Sequence, residues 1–596
     1  VTATDETVVL RTPAADETAV LTAPAAADTA VLRAPGPDET VVLRTPGPDE
    51  TVVLRVAQTP APAVRRPVGE RLLLAGLLAV VALVQGWNIL DYPQVSDDEG
   101  TYLAQGWAVA TGNGLAHYTY WYDHPPFAWM QLAALRWIPA ALLPGELAVA
   151  SARFVMLLVA VLSAALLFVL ARRHGLRPWT AALAVVLFAL SPLAVTMQRQ
   201  IYLDNFAVLW MLAAFVLARS PQRNLWHHAA AGICAALAVL SKETIAIVLP
   251  ALLVALWQGS HRSTRKFTLT AFFCTVVPLI ALYPLYALLN GELFPGDDHV
   301  SLLGALLFQV ADRAGTGSFL DPADGAYQLL HSWLYHDPVI VLAGAAAVLV
   351  ALASRRLRAP AVAGVILIAM ALRPGGYLPA MYVIQALPFF ALCLAGLAGL
   401  AAAWAGGRRR PPLERPWWLR LSPPSRLRLR LGAPAWLSAA VDRVAARPWS
   451  RRLAETAVVV LAVAAAAPWW ADGHVRAATA SANDGYADAV AWIEREIPDR
   501  ANTRILVDDA IWVDLVEAGF TPGTGVIWFY KADLDPAVTS TLPNGWRDVD
   551  WVVTSPIVRQ EEGTLPTVDA AVANSVPRAV FGAGDDRIEV RRVTAP

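Results

Sequence analysis

Charged residues are scarce in this chain. Asp, Glu, Lys and Arg make up 16% of it, against roughly a quarter in an ordinary soluble domain, while 56% is hydrophobic and the mean hydropathy is +0.47. That shortage excludes one large soluble fold and predicts a polytopic membrane protein. Cysteine is nearly missing too. Cys234, Cys274 and Cys393 all fall inside apolar runs, which argues against a disulfide framework or a cysteine zinc site. Net charge is likewise absent, at −1, so no overall field attracts nucleic acid and no such partner is expected.

What charge there is sorts by position. Apolar runs lie near 71–90, 148–171, 179–197, 205–218, 228–241, 244–258, 268–289, 338–353, 360–372, 379–404 and 454–470, about 11 transmembrane helices. Between them, Arg172 with Arg173 and Arg177, Arg219 with Arg223, His261 to Lys266, Arg355 with Arg356 and Arg358, and a basic loop at 405–453 fall on one side. Asp97 to Glu99, Asp123, Asp204, Asp297 with Asp298, Asp321 and Asp324 fall on the other. The positive-inside rule makes the basic side cytoplasmic, with the N-terminus inside and the C-terminus outside. The 405–453 loop mixes Arg with Trp, Leu and Pro and is expected to lie on anionic membrane lipids.

Three domains follow. Residues 1–69 carry Thr7, Thr18, Thr29, Thr40 and Thr51 in near-copies at a period of 11, with regular Pro and Gly. They read as a disordered cytoplasmic tail. Acidic residues before each Thr and apolar ones after also suit a Ser/Thr kinase and a forkhead-associated reader as partners. Residues 70–470 form the membrane domain. Residues 471–596 alternate a helical stretch with short strands such as RILVDD, GVIWFY and DWVVTS, a small extracytoplasmic α/β domain.

Ionisable groups at membrane depth are costly, which makes them functional candidates. Asp98 and Glu99 leave the first apolar run as a carboxylate pair, with Asp97 before them. Asp123 follows in Asp123-His124-Pro125-Pro126, a corner stiffened by two prolines. Tyr102, Trp107, Tyr118, Tyr120, Trp121 and Tyr122 between them suit an interfacial belt or a sugar-stacking surface. Arg199 and Asp204 flank the next outer turn, as an ion pair across it or as site groups. Lys242, beside Glu243, either pairs with its neighbours or faces a phosphate. Arg373 is a third outer cation, followed by Gly375, Gly376 and Tyr377. A carboxylate can take a proton from a hydroxyl, and Arg or Lys can hold a phosphate and stabilise it as it leaves. His124 has no second histidine at metal-ligand spacing.

The order of Asp97-Asp98-Glu99, Asp123-His124-Pro125-Pro126-Phe127, Arg199 with Asp204, Ser241-Lys242-Glu243 with Pro250, and Gly376-Tyr377-Leu378-Pro379 with Leu387-Pro388 resembles the polyprenyl-phosphate-dependent glycosyltransferases of the GT-C class. The bacterial branch of protein O-mannosyltransferases and lipid A aminoarabinose transferase is the nearest in pattern, over residues 70–405. The resemblance implies an inverting sugar transfer from a polyprenyl-phosphate donor at the outer face of a bacterial plasma membrane. It implies Asp98 as catalytic base with Glu99 and Asp123 beside it. Arg199, Asp204, Lys242, Arg373, His124 and Tyr377 are then the donor and phosphate contacts. The acceptor would be a protein, a glycolipid or a wall polysaccharide. The family's usual Lys before Pro-Pro is His124 here, and Asp97 competes with Asp98 for the base role. Some relatives use a divalent metal, so a metal stays open. Two rival readings remain: a secondary transporter or lipid flippase, and a membrane scaffold. Transporters place charge near the midplane, whereas these charges sit at the outer ends.

Overall fold

The computed structural model describes residues 68–115, 122–296, 300–373, 375–405 and 448–594. An N-terminal unit, residues 1–67, adds one two-residue strand pair, Val8–Val9 against Val42–Leu43. The expected disordered tail with its Thr repeats otherwise lies outside the described residues. So do Tyr118, Tyr120, Trp121, Asp297, Asp298 and nearly all of the basic loop.

The apolar runs are helical. Val68–Gly86, Ala148–Arg173, Arg265–Leu289 and Ala380–Ala403 are long and apolar enough to cross a membrane. Pro178–Ala189 with Pro192–Arg199, and Gly325–His336 with Val339–Ala351, are pairs bent by 61° and 109°. Leu203–Ala218, Leu225–Ser241, Glu243–Gly259, Leu302–Asp312 and Arg358–Ala371 are shorter apolar helices. The expected runs thus resolve into long, bent and short helices. Proline explains the first bend: Pro192 has no N–H to continue the preceding turns and opens a new helix instead.

Position in the bundle follows side-chain exposure. Arg265–Leu289 presents Phe273, Val277, Leu282, Leu285 and Leu289 outward, as a lipid-facing helix does. Ala148–Arg173 is central, with Val155, Met156, Leu167 and Phe168 enclosed. The basic connections gather at one end. Arg172 pairs with Glu70, Arg173 donates to the Val216 carbonyl, and the His174 ring bonds the Arg356 carbonyl at 2.5 Å.

The C-terminal domain is a five-stranded mixed sheet in the order Val526–Trp528, Ile505–Val507, Trp551–Thr554, Ile588–Val593, Ser575–Phe581. The first three strands are parallel and the last two antiparallel. Alternation sends Leu506, Ile527 and Val552 to one face, over Val568 and Ala571. Ile505, Val507, Val526 and Trp528 go to the other, whose core with Trp512 is continuous with that of the membrane helices. At the seam, Trp107 meets Trp512 edge-on, with ring centres 5.5 Å apart.

Candidate active site

Asp98 stands in the first turn of the helix Asp97–Ala110. Glu99, the third residue of that helix, accepts the Ser96 N–H at 3.2 Å, half of a capping box that sets where the helix begins. The segment leading into it is fixed by three buried side chains. Arg153 donates to the carbonyls of Ile89 (3.3 Å), Pro93 (2.7 Å) and Gln94 (3.4 Å). Arg199 donates to those of Val84 (2.7 Å), Trp87 (2.9 Å) and Tyr92 (3.1 Å). Asn483 accepts from the Val95 N–H and donates to Leu90 and Pro93. These contacts satisfy carbonyls left open where the first helix ends, and they aim the next helix.

The two expected neighbours therefore differ. Glu99 is fully enclosed, bonded by both oxygens to Arg153 (2.9 and 2.7 Å) and accepting the Ile201 N–H as well. Its lone pairs are committed to the fold. Asp98 is half-buried, and its carboxylate interacts with the Tyr102 hydroxyl. Asp97 is exposed at the surface, yet desolvation by its surroundings, and then the charge of Asp98, push its carboxyl up to about 6. Arg199, expected at a phosphate, holds the end of the first helix instead, because its guanidinium is enclosed among three carbonyls.

Asp123 is exposed and follows Tyr122, whose backbone is left-handed at φ 60 and whose hydroxyl donates to Glu292. His124, Lys242 and Glu243 form a chain. Lys242 Nζ lies 2.7 Å from His124 Nε2, and His124 Nδ1 lies 3.0 Å from Glu243 Oε2. Lysine can only donate, so Nε2 accepts and the Nδ1–H donates to Glu243. Tyr102 adjoins both the His124 ring and the ammonium. Asp204 is buried. Its Oδ1 accepts from Gln385 at 2.6 Å, and its Oδ2 has no hydrogen-bond partner among the described residues. Gln385 also donates to Thr244 at 2.7 Å, linking Asp204 to the Lys242 turn.

Arg373 and Tyr377 lie on the exposed connection after Arg358–Ala371. The Arg373 guanidinium folds over Gly376, where a Cβ would meet it at 2.4 Å. Arg313 stacks on the Tyr377 ring at 3.4 Å. Partial desolvation raises the Tyr377 phenol above its ordinary range, Arg313 opposes this, and the charges of Asp98 and Asp97 add to it. The two aspartates and this Tyr–Arg pair thus share one field.

The C-terminal sheet closes over the same helix. The turn after Val507 carries Asp509, which accepts from the Thr101 hydroxyl and, at 3.0 Å, from Tyr530. Lys531, after Trp528, pairs with Asp535 at 3.2 Å and lies in the fields of Asp509 and Asp123. Sequence reasoning missed Arg153, Arg313, Gln385, Asp509 and Lys531. Two left a signal: Arg153 is a cation inside an apolar run, and Lys531 is one of only three lysines, with Lys242 and Lys266. Among the described residues no three His, Cys, Asp or Glu side chains converge to hold a metal ion. The donor set of a divalent metal centre is not formed there.

Residues 123–287 match the family model described as dolichyl-phosphate-mannose-protein mannosyltransferase. No curated protein sequence matches the chain. Among solved structures, ArnT from Cupriavidus metallidurans bound to undecaprenyl phosphate aligns with a TM-score of 0.50 at 14% identity, over 88% of this chain and 98% of that one. The Archaeoglobus fulgidus oligosaccharyltransferase in its apo form gives 0.46 at 15% identity, over 84% and 72%. The S. cerevisiae protein O-mannosyltransferase Pmt1-Pmt2 complex bound to the sugar donor gives 0.30 at 21%, over 43% and 37%. The matched segment contains Asp123, His124, Asp204, Lys242 and Glu243, and the ArnT-like fold extends over the membrane helices and the C-terminal sheet. Residues 123–287 thus match a mannosyltransferase family model, within a multi-helix fold similar to that of ArnT.

Proposed function

We propose that this chain moves a monosaccharide from a polyprenyl-phosphate donor to a hydroxyl acceptor on the outer face of the membrane, with inversion and with Asp98 as base. The observation that carries the reading is the contrast between adjacent carboxylates. Glu99 is locked to Arg153, while Asp98 stands half-buried beside Tyr102 in a field shared with Tyr377 and Arg313.

In the proposed step the acceptor O–H gives its proton to Asp98 as its oxygen bonds to the anomeric carbon. The bond from that carbon to the phosphate oxygen breaks on the opposite side, and polyprenyl phosphate leaves with the electron pair. Lys242, braced by His124 and Glu243, supplies positive charge for the leaving phosphate, and Arg373 and Arg313 are further cations for it. Asp123 and Asp204 orient the donor. Glu99 acts through the helix as a positioning residue, and Arg199 through the segment before it. The undecaprenyl phosphate in the ArnT structure supports the donor class. The family description favours a mannosyl group, with arabinosyl-type sugars second. Protein, glycolipid and wall polysaccharide are the acceptor classes. In this reading the basic end faces the cytoplasm of a bacterium and the C-terminal domain lies outside. The Thr repeats of the tail are phosphoacceptors for a Ser/Thr kinase and ligands for a forkhead-associated domain.

The test is transfer by the purified full chain in detergent, with radiolabelled polyprenyl-phosphate sugars and an envelope acceptor fraction. One donor is expected to turn over, and Asp98→Asn to bind it without transfer. Unchanged turnover in Asp98→Asn removes the base assignment. No turnover of any donor with competent acceptors removes the reading.

A further inference from the structure

At the end of the bundle away from Asp98, three connections meet around a hollow of about 790 Å³. Helix Leu203–Ala218 sets the separation: Asp204 is in its first turn, and Arg223 lies just past its other end. Sixteen residues at 1.5 Å each put about 24 Å between them. Arg223 comes from one connection, His261, Arg262 and Arg265 from the second, and Arg355 and Arg358 from the third. No Asp or Glu is among the described residues that line it.

The positive-inside rule accounts for the sign of these loops but not for their convergence. Like charges on separate loops lower their energy by spreading into water, so bringing Arg223, Arg262 and Arg265 around one concavity favours an anion between them. Two local features agree. Arg223 is held in the left-handed region at φ 50, a conformation a non-glycine residue rarely adopts and one that collects at binding sites. Arg265 lies over the Trp257 ring, 3.9 Å from its centre, and donates to the Trp257 carbonyl at 3.3 Å. Its Nε is buried with no hydrogen-bond partner among the described residues. That contact holds in place a side chain whose fork matches phosphate oxygens. The volume is within the range of small-ligand sites.

We infer that this hollow is a binding site for a phosphate-bearing anion, separate from the donor site around Lys242. The ligand is a phosphomonoester or phosphodiester group, carried by an anionic lipid of the adjoining leaflet or by a soluble molecule. The inference does not depend on which sugar the enzyme transfers.

The experiment uses the full chain in a zwitterionic detergent. One arm adds mixed micelles containing phosphatidic acid or phosphatidylglycerol, and the other adds inorganic phosphate or pyrophosphate. Binding is followed by native mass spectrometry and by thermal shift. Arg262→Gln/Arg265→Gln is expected to weaken binding at least tenfold, and Arg265→Lys to weaken it partly, since Lys keeps the charge and loses the fork. Both variants are expected to keep the wild-type melting temperature without added anion and to keep sugar transfer. Binding in the lipid arm alone assigns the site to a headgroup, and binding in the phosphate arm assigns it to a soluble anion. Binding in neither arm, or equal binding by wild type and the double variant, overturns the inference.

Discussion

The hydroxyl of Thr101 donates to the carboxyl group of Asp509, which joins the Asp98 helix to the C-terminal sheet. Asp509 follows the end of a parallel strand, the edge at which open α/β sheets place functional groups. It is almost wholly enclosed, and burial pushes its carboxyl well above the usual range. Beside the bond, Gly100 touches the Asp509 backbone so closely that a Cβ would stand 2.1 Å from its carbonyl oxygen. Placement of Asp98 therefore depends on a domain some 400 residues further along the chain.

Gly100→Ala tests that dependence. The added methyl cannot be accommodated without separating helix and sheet, because its neighbour is backbone. Transfer is expected to fall on the order of 100-fold, as for an ångström-scale misplacement of a reacting group. Circular dichroism is expected to show the helical content retained. A turnover close to wild type would mean that the contact does not position Asp98.

Asp97 and Asp98 separate by pH. The Asp97 carboxyl, raised to about 6 by desolvation and by Asp98, titrates within the assay range. Below pH 6 it is neutral, and above it adds a negative charge beside the proposed base. The profile of kcat/KM is expected to show an inflection near pH 6 that disappears in Asp97→Asn, with the variant still active. Loss of all turnover in Asp97→Asn would instead move the base to Asp97.

Glu99 and Arg153 form a buried bidentate pair, so removing one partner leaves a charge without its counterion. Glu99→Gln is expected to destabilise by about 3–5 kcal/mol. Glu99→Gln/Arg153→Met is expected to recover part of that, since the stranded guanidinium is gone. Thermal melts of the two variants check the order. A double variant no more stable than the single one would show that Arg153 contributes mainly through the carbonyls of Ile89 and Pro93.

These cases show how much of the site the sequence discloses. The Asp97–Glu99 cluster, Asp123 and Lys242 stand out in the sequence because charge is rare here and contrasts with apolar runs. Their different surroundings do not. Glu99 and Asp98 look equivalent in sequence, and only the helical turn sends one into the bundle toward Arg153 and leaves the other half-buried. Arg199 reads as a phosphate cation from its place at an outer turn, yet the carbonyls it serves belong to residues 84–92, more than a hundred positions earlier. The C-terminal strands were readable from their alternation. That their carboxyl edge meets the Asp98 helix depends on contacts no local pattern carries.

Lys242 and Arg199 can be told apart by kinetics. Lys242→Met removes a cation held at His124, and the donor KM is expected to rise about 10- to 100-fold, as for loss of a charge-assisted hydrogen bond. Arg199→Lys should lower the melting temperature and leave the donor KM near wild type, because one ammonium cannot serve three carbonyls in different directions. The opposite pattern would return Arg199 to the donor site.

Asp514 makes the seating of the C-terminal domain depend on pH. Its Oδ1 accepts the Ala148 N–H at 2.8 Å, at the first turn of Ala148–Arg173. Burial raises its carboxyl to about 7; the Ala148 bond opposes this, while Glu517 and Glu494 add to it. An unfolded Asp titrates near 4. Between about pH 4 and 7 the folded protein therefore keeps a proton that the unfolded chain has released, so this contribution is greatest below pH 4, declines as pH rises and is flat above 7. Asp514→Asn keeps an oxygen that can accept the Ala148 N–H and carries no charge to desolvate. It is expected to raise the melting temperature at pH 8, by at most about 4 kcal/mol of stability, and to match wild type at pH 4. Melts of both proteins across that range measure the difference directly. A variant less stable than wild type at pH 8 would show that the charge on Asp514, facing the helix N-terminus, outweighs the cost of burying it.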